Sequence, residues 1–387
     1  MPTCPVCQSD KTAVFLQRHR LPVHQHTLLS TENAAQTVQR GELELAMCQK
    51  CQFVFNQSFD LSLLAYEKDY DNTQSHSAFF QDYMDQLVHN MVHRSGVKNA
   101  HIVEVGCGKG VFLKQLAAAD PGNRGVGFDP SYMGPLEEPG SRVRFERRFY
   151  DESCTAVPAD VVVCRHVIEH VPEPLELLMS IRKALVNADK PKLFFETPCV
   201  EWILENQVIY DFFYEHCSYF TAHSLSTLFE RAGFKVERVE HVFQGQYLWL
   251  EATLAEEATE PRTTESNRLW ELAEAFSAGE KQIAKSWEAS LRELKQAGKK
   301  TAVWGAGAKG VTFLNLLSDS RDLVDCVVDV NPKKQGNYLP GTGHLIVSPS
   351  DLSSRGIDTA ILMNPNYRME IEQMLNQLGL RIDLLSE

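Results

Sequence analysis

The sequence predicts an α/β protein in which two doubly wound parallel sheets follow a small metal-binding unit. Three observations predict it. Apolar strands alternate with helical segments twice, first from about residue 101 and again from about residue 301. Each alternation opens on glycine-rich turns between a strand and a helix, VEVGCGKG at 103–110 and VWGAGAKG at 303–310. Ahead of both stand two paired cysteine turns, CPVC and CQKC.

The cysteine turns come first in the chain. Cys4 and Cys7, then Cys48 and Cys51, are CxxC pairs whose spacing lets each turn aim two thiolates at one ion. Four thiolates complete a tetrahedral shell and leave no open position, so the expected metal is a structural Zn2+. His24 and His26 lie between the pairs as alternative ligands or polar loop residues.

Residues 60 to 98 read as helical and polar-aromatic, with apolar residues recurring at three and four. HIVEVG is then a strand, GKGVFLKQLAAA a helix, and GVGFD, ADVVVCRHV and PKLFFETP are further strands. A polar stretch and a charged helix of about thirty residues follow, after which TAVWGAGAKGVTFLNLL begins the second alternation. The expected organisation is a zinc-binding domain at 1–60, a cofactor domain at 61–255, a linker helix at 256–299 and a second α/β domain at 300–387.

Bulk properties narrow the function classes. A formal net charge of −13 supplies no basic stripe to displace counterions from nucleic acid, and no segment has the apolar length of a membrane helix. The first residues carry no secretory pattern, and ten cysteines, several within strands, suit a reducing compartment. The expectation is a cytoplasmic protein, monomer or homodimer, that acts on a small molecule.

Gly106, Gly108 and Gly110 follow a strand and open a helix, where the backbone can approach a ligand and free N–H groups point at it. The next strand ends in Asp129, placed to accept from ribose hydroxyls. This combination binds a nucleoside-containing cofactor. Its GxGxG spacing, with Glu104 two residues before the first glycine, resembles motif I of class I S-adenosylmethionine (SAM)-dependent methyltransferases. That resemblance continues at CRHVIEHVPEPLELL and implies SAM as cofactor, with Phe149 and Tyr150 near its adenine and His166 as a further cofactor contact.

The second loop, with Gly305, Gly307 and Gly310, fits GxGxxG, and Asp329 follows at dinucleotide spacing. Taken alone it points to an NAD-linked oxidoreductase. It fits equally a domain that holds the nucleotide part of a substrate, or one that only packs.

The CxxC pairs, VEVGCGKG, YEHCSYF and the terminal GAGAKG…VVDVNPKKQG…LPGT, taken in this order, resemble the three-domain sugar C-methyltransferases across essentially the whole chain. The resemblance implies a structural zinc, SAM in the middle domain, and a nucleotide-linked keto-deoxysugar held between the middle and C-terminal domains. Relatives commonly read Tyr-His-Glu-His where this chain has Phe213, Tyr214, Glu215 and His216, so a role for the leading hydroxyl does not carry over. The expected chemistry is removal of a proton beside the ketone, followed by attack of the enolate on the SAM methyl. His216 is the candidate base, with Glu215 or another carboxylate to orient it, Tyr214 the donor to the enolate oxygen and His170 a second base candidate. Tyr70, Gln74 and Ser75, in YDNTQS, match a segment facing cofactor or substrate. O- or N-methylation of a sugar or other small molecule is the alternative within methyl transfer, and a non-catalytic scaffold that kept these folds the alternative outside it.

Overall fold

The computed structural model describes residues 3–64, 76–137, 139–256 and 267–386. Tyr70, Gln74 and Ser75 lie outside the described residues.

The N-terminal unit is an antiparallel sheet of β1 (Thr12–Pro22), β2 (Arg40–Cys48) and β3 (Val54–Asn56), with α1 (Glu32–Gln36) between the first two strands. Thr31 caps α1 by accepting from the Ala34 N–H at 3.2 Å. The sequence reading placed only metal-holding turns here; the strands explain how those turns meet. Thr12 pairs with Cys48, so CPVC, just before β1, and CQKC, at the end of β2, come to the same end of the hairpin.

The middle unit runs α2 (Ala78–His93), β4 (His101–Val105), α3 (Val111–Ala118), β5 (Arg124–Phe128), β6 (Val143–Glu146), β7 (Val161–Arg165), α4 (Pro174–Ala184), β8 (Lys192–Pro198), α5 (Val200–Glu205), β9 (Ser218–Tyr219), α6 (Ala222–Arg231), β10 (Phe234–Val242) and β11 (Tyr247–Leu254). Seven of these strands form one sheet in the order β10-β11-β8-β7-β4-β5-β6, with only β11 antiparallel to its neighbours. Strands β4, β7 and β8 read as near-continuous apolar runs because helices cover both faces. The chain leaves β4 in one direction and returns on its other side through β7, which makes the carboxyl ends of β4 and β7 the switch point where such sheets bind ligands.

The remaining strand of this segment leaves the middle sheet altogether. β9 pairs with β3, Val54 opposite Tyr219 and Phe55 opposite Ser218, and so extends the N-terminal sheet. The segment that precedes it is thereby fixed to the cysteine-bearing unit.

After α7 (Arg268–Gln296) come β12 (Thr301–Trp304), α8 (Ala308–Leu316), α9 (Ser320–Leu323), β13 (Cys326–Val328), β14 (Ile346–Val347), α10 (Asp351–Arg355), β15 (Thr359–Leu362), α11 (Arg368–Gln377) and β16 (Asp383–Leu385). The strands form a parallel sheet in the order β14-β13-β12-β15-β16. α7 has the length expected of the linker helix but does more than connect. It buries Leu269, Ala273, Phe276 and Leu291 in a core shared by β1, β2, α5 and the C-terminal sheet. Its Glu280 meets Arg18 of β1 at 2.5 Å, a buried pair across 262 residues of sequence.

Candidate active site

The carboxyl ends of the middle and C-terminal sheets face one another across a cleft of about 430 Å³. The turn after β7 (Arg165, His166, Glu169, His170) forms one wall, and the turns after β12 (Gly305–Gly310) and β15 (Met363, Asn364, Tyr367) form the other. Reciprocal amide bonds between Gln246 and Asn364, at 3.0 and 3.1 Å, join the two walls. Lys309 adds an ion pair to Asp211 at 2.9 Å.

The segment FYEHCSYF enters this cleft as a turn between the 3-10 turn Ile209–Asp211 and β9. Four hydrogen bonds hold it and the residues just before it. Arg18 donates to the carbonyls of Ile209 and Phe212 at 2.5 and 2.7 Å, the Asn56 N–H to the Cys217 carbonyl at 2.9 Å, and the Cys217 N–H to the Glu169 carbonyl at 2.9 Å. Phe213, Glu215 and His216 face the cleft. Tyr214 points away from the cleft. Its hydroxyl accepts from the Asp60 N–H at 2.8 Å and donates to the Asp60 carbonyl at 3.2 Å, while its ring occupies the space a side chain at Gly41 would take. Tyr214 is therefore corrected from enolate donor to a residue that ties this turn to the N-terminal unit.

His216 packs on Phe213 with ring centroids 4.2 Å apart and meets His170 edge to face at 4.7 Å. Burial, then the neighbouring His170, His166 and His26, push its pKa well below the usual histidine value, so the imidazole is neutral and able to accept a proton. The Glu215 carboxylate does not serve it as expected: its partner is His24 Nδ1 at 3.4 Å, and its backbone carbonyl accepts from His170 Nδ1 at 2.9 Å. The carboxylate beside His216 is Glu169, whose oxygen lies within 4.8 Å of ring nitrogens of both His170 and His216. Glu169 also accepts from Thr197 Oγ1 and contacts His166 Nδ1, both at 3.2 Å.

Behind this wall Glu196 collects Arg165 Nε at 2.5 Å, the Tyr83 hydroxyl, and His166 Nε2 at 3.7 Å. Burial opposes each charge, yet the cations hold Glu196 down to about 2 and the carboxylates raise His166 to about 9. His166 is left-handed at φ 52°, a conformation costing about 1–3 kcal/mol in a non-glycine residue, and its N–H donates to the Glu196 carbonyl at 2.9 Å.

The first glycine loop stands at the switch point. Gly110 is the N-cap of α3 at φ 72°, and a Cβ there would lie 2.3 Å from the Phe145 ring, so only glycine fits. A Cβ at Gly108 would meet nothing within 4 Å, which leaves open space over the loop. Asp129 is held at the end of β5 by the Gly108 N–H at 2.8 Å and Ser131. Glu104 is 4 % exposed and burial pushes it up to about 8, while its Oε2 has no hydrogen-bond partner among the described residues. Phe149 is 73 % exposed, a free ring beyond β6, whereas Tyr150 packs on Phe128 at 5.0 Å. An open cradle and an orphaned buried acceptor fit the nucleoside and amino-acid parts of SAM.

Cys4, Cys7, Cys48 and Cys51 are all buried, and their Sγ atoms lie within 4.8 Å of one another. Cys4–Cys51 and Cys7–Cys48 are 3.6 and 3.4 Å apart. A tetrahedron with roughly 2.3 Å metal–sulfur bonds has edges near 3.8 Å, so the donor set fits a thiolate-bound Zn2+. His24 and His26 sit at the cleft side and are not part of this cluster.

The second glycine loop lines the same cleft and is tightly packed. A Cβ at Gly310 would lie 2.0 Å from the Gly305 carbonyl oxygen. Asp329, the residue spaced to take ribose hydroxyls, already accepts from the Ala306 and Asn331 N–H groups at 2.9 and 2.8 Å. Lys334 Nζ closes over it at 3.8 Å and donates to the Ala306 carbonyl at 2.9 Å.

Residues 76–239 match the methyltransferase domain family, and residues 250–381 match the C-methyltransferase C-terminal domain. The C-methyltransferase NovU of Streptomyces niveus is 30 % identical over 312 residues, covering 75 % of this chain and 72 % of NovU. The chain belongs to the C-methyltransferase family. It is a SAM-dependent methyltransferase, and this displaces the oxidoreductase, scaffold and O- or N-methyl readings. The ubiquinone biosynthesis O-methyltransferase of Actinobacillus pleuropneumoniae serotype 7 (strain AP76) is 28 % identical over 126 residues, 30 % of this chain and 50 % of that protein. The crystal structure of magnesium protoporphyrin IX methyltransferase from Synechocystis PCC 6803 with bound SAH aligns at a TM-score of 0.35 and 15 % identity, over 49 % of this chain and 90 % of that one.

In this methyltransferase, sequence reasoning missed Arg165, Glu169 and Glu196. Glu169 stood beside His170 in IEHV, and a carboxylate adjacent to a candidate base was the available signal. Arg165 and Glu196 lie on adjacent strands, and nothing local in the sequence reveals that pair.

Proposed function

We propose that this C-methyltransferase methylates the carbon next to the ketone of a nucleotide-linked deoxysugar, with His216 as the base. The observation that carries this reading is the His216 imidazole held against Phe213 in a cleft between two α/β domains, within reach of the Glu169 carboxylate. SAM supplies a methyl group on a sulfonium, ready for attack by a carbon nucleophile.

His216 takes the proton from the carbon beside the ketone, and the C–H electrons pass into an enolate whose charge rests on oxygen. Glu169 stabilises the imidazolium that forms. Phe213 carries no hydroxyl and Tyr214 is turned away, so the phenols facing the cleft among the described residues are Tyr247 and Tyr367. Burial holds Tyr247 protonated far above the usual tyrosine range, which suits a donor to the enolate oxygen. Arg18, Asn56 and the Tyr214 hydroxyl keep the turn that bears His216 in place. The CxxC cluster holds a structural Zn2+ and through β3 and β9 supports the same turn.

His216→Ala tests the reading with SAM and nucleotide-linked keto-deoxysugars as acceptors. The expected result is a loss of about 10²–10⁴-fold in kcat with SAH affinity retained. Methyl transfer at the wild-type rate with SAH binding intact would remove His216 from the mechanism.

A further inference from the structure

The proton transfer proposed above asks nothing of His170, yet this ring is held in one orientation at the edge of the cleft. Its Nδ1 lies 2.9 Å from the Glu215 carbonyl. A carbonyl only accepts, so Nδ1 carries the ring proton and the lone pair is left on Nε2. The ring meets His216 edge to face at 4.7 Å, and one donor atom each from Glu169, His170 and His216 lies within 4.8 Å of the other two.

Glu169 is fixed in a similar way. Thr197 Oγ1 donates to Oε2, and His166 Nδ1 meets Oε1, both at 3.2 Å. These contacts occupy two of the about four lone-pair positions of a carboxylate and leave the others for a further partner. Glu169 is buried, the two histidines are half-buried, and all three line the cleft.

Two imidazoles and one carboxylate form the donor set of open Zn2+ sites, in which three protein ligands leave the fourth position to solvent or substrate. Bonds of about 2.0–2.1 Å place tetrahedral ligand atoms about 3.4 Å apart, so small side-chain rotations bring these donors into one shell. The outer bonds from His170 to a carbonyl and from Thr197 to Glu169 are the supports that orient such ligands.

We propose that Glu169, His170 and His216 form a second, exchangeable Zn2+ site, and that an ion there blocks methyl transfer by taking the lone pair with which His216 removes the proton. The site differs from the four-cysteine cluster in having no thiolate, a free fourth position and access through the cleft. Its binding half stands on the geometry alone. Its blocking half rests on His216 as the base.

The test counts ions and turnover separately on the full-length protein with its cysteine cluster filled. All samples carry His93→Ala, because the exposed rings of His89 and His93 on α2 are 4.3 Å apart and offer a surface site of their own. Equilibrium dialysis against buffered free Zn2+, with no acceptor present, should load one more ion on this protein than on its His216→Gln or His170→Gln form. Each of these substitutions should weaken that ion at least about 100-fold, and Thr197→Val, which removes only the support of Glu169, about 10-fold. In turnover, Zn2+ should inhibit with a constant within about 3-fold of the dissociation constant of that ion, and a chelator too weak to strip the cysteine cluster should restore the rate. Equal loading of the parent and both glutamine forms would overturn the site and leave the assignment of the base untouched. An ion that binds there and spares methyl transfer would overturn the blocking, and the base with it. If the glutamine forms do not fold, Co2+ decides. An exchangeable, inhibitory ion whose d–d absorption lacks sulfur-to-metal charge transfer supports the site, and sulfur-bound Co2+ alone overturns it.

Discussion

Replacing Arg18 by Met should destabilise the protein by about 3–5 kcal/mol, the range for removing one partner of a buried ion pair. The magnitude follows from what the guanidinium holds. Its side chain is 4 % exposed and Glu280 is 11 % exposed, so the carboxylate left behind has little access to water. Two backbone carbonyls, of Ile209 and Phe212, lose charge-assisted donors at the same time. Met fills much of the same volume, which confines the loss to polar interactions. The double substitution Arg18→Met with Glu280→Leu removes the stranded carboxylate and should recover about 1–4 kcal/mol, the range in which hydrophobic replacement of a buried pair is tolerated. Recovery should be partial, because the two carbonyls remain without the guanidinium. Those carbonyls begin the turn that carries His216, so the double variant should fold and yet lose about 10-fold or more in kcat/KM. The assay is urea unfolding of wild type, single and double variants, beside methyl-transfer kinetics. A single variant within about 1 kcal/mol of wild type, or a double variant with full activity, would refute the reasoning.

Three further outcomes follow from the same geometry. Tyr214→Phe should cost about 1–3 kcal/mol in unfolding free energy through the two Asp60 groups it leaves, with kcat within about 3-fold of wild type, since its hydroxyl faces away from the cleft. Cys48→Ser should abolish binding of one Zn2+ per chain, read by elemental analysis, and lower the melting temperature, because the cluster joins the start of β1 to the end of β2. SAH binding should release a proton from Glu104. This carboxyl stands near 8 in the free protein and ionises against the ligand ammonium, so affinity should rise with pH from 6 to 7 and calorimetric enthalpy should depend on buffer ionisation. Glu104→Gln should lose both dependences.

Features encoded by local spacing were legible in the sequence. The CxxC pairs marked four cysteines that the fold brings together, because two thiols two residues apart share a turn, and the glycine loops announced strand-to-helix crossovers because each needs left-handed or crowded glycines. The α7 helix was legible in length, but its contacts were not, since Glu280 finds Arg18 across 262 residues. The turn at 213–216 was legible as a cluster, but the partners of Tyr214 and Glu215 were not. Which of Phe213, Tyr214 and Glu215 faces the cleft depends on the direction set by β9, a two-residue strand that no periodicity signals. Glu169 was passed over for its neighbour His170, because which carboxylate approaches His216 is decided by the bond from the Cys217 N–H to the Glu169 carbonyl.

The central claim is that His216 makes a carbanion equivalent beside a ketone. Its most direct test is incubation of the enzyme with the keto-deoxysugar nucleotide and SAH in D2O, which permits proton removal but no methyl transfer. Proton NMR should show loss of the signal from the hydrogen next to the ketone, at a rate at least about 100-fold slower in His216→Ala. Retention of that hydrogen by the wild-type enzyme, or equal exchange in the variant, would contradict the account.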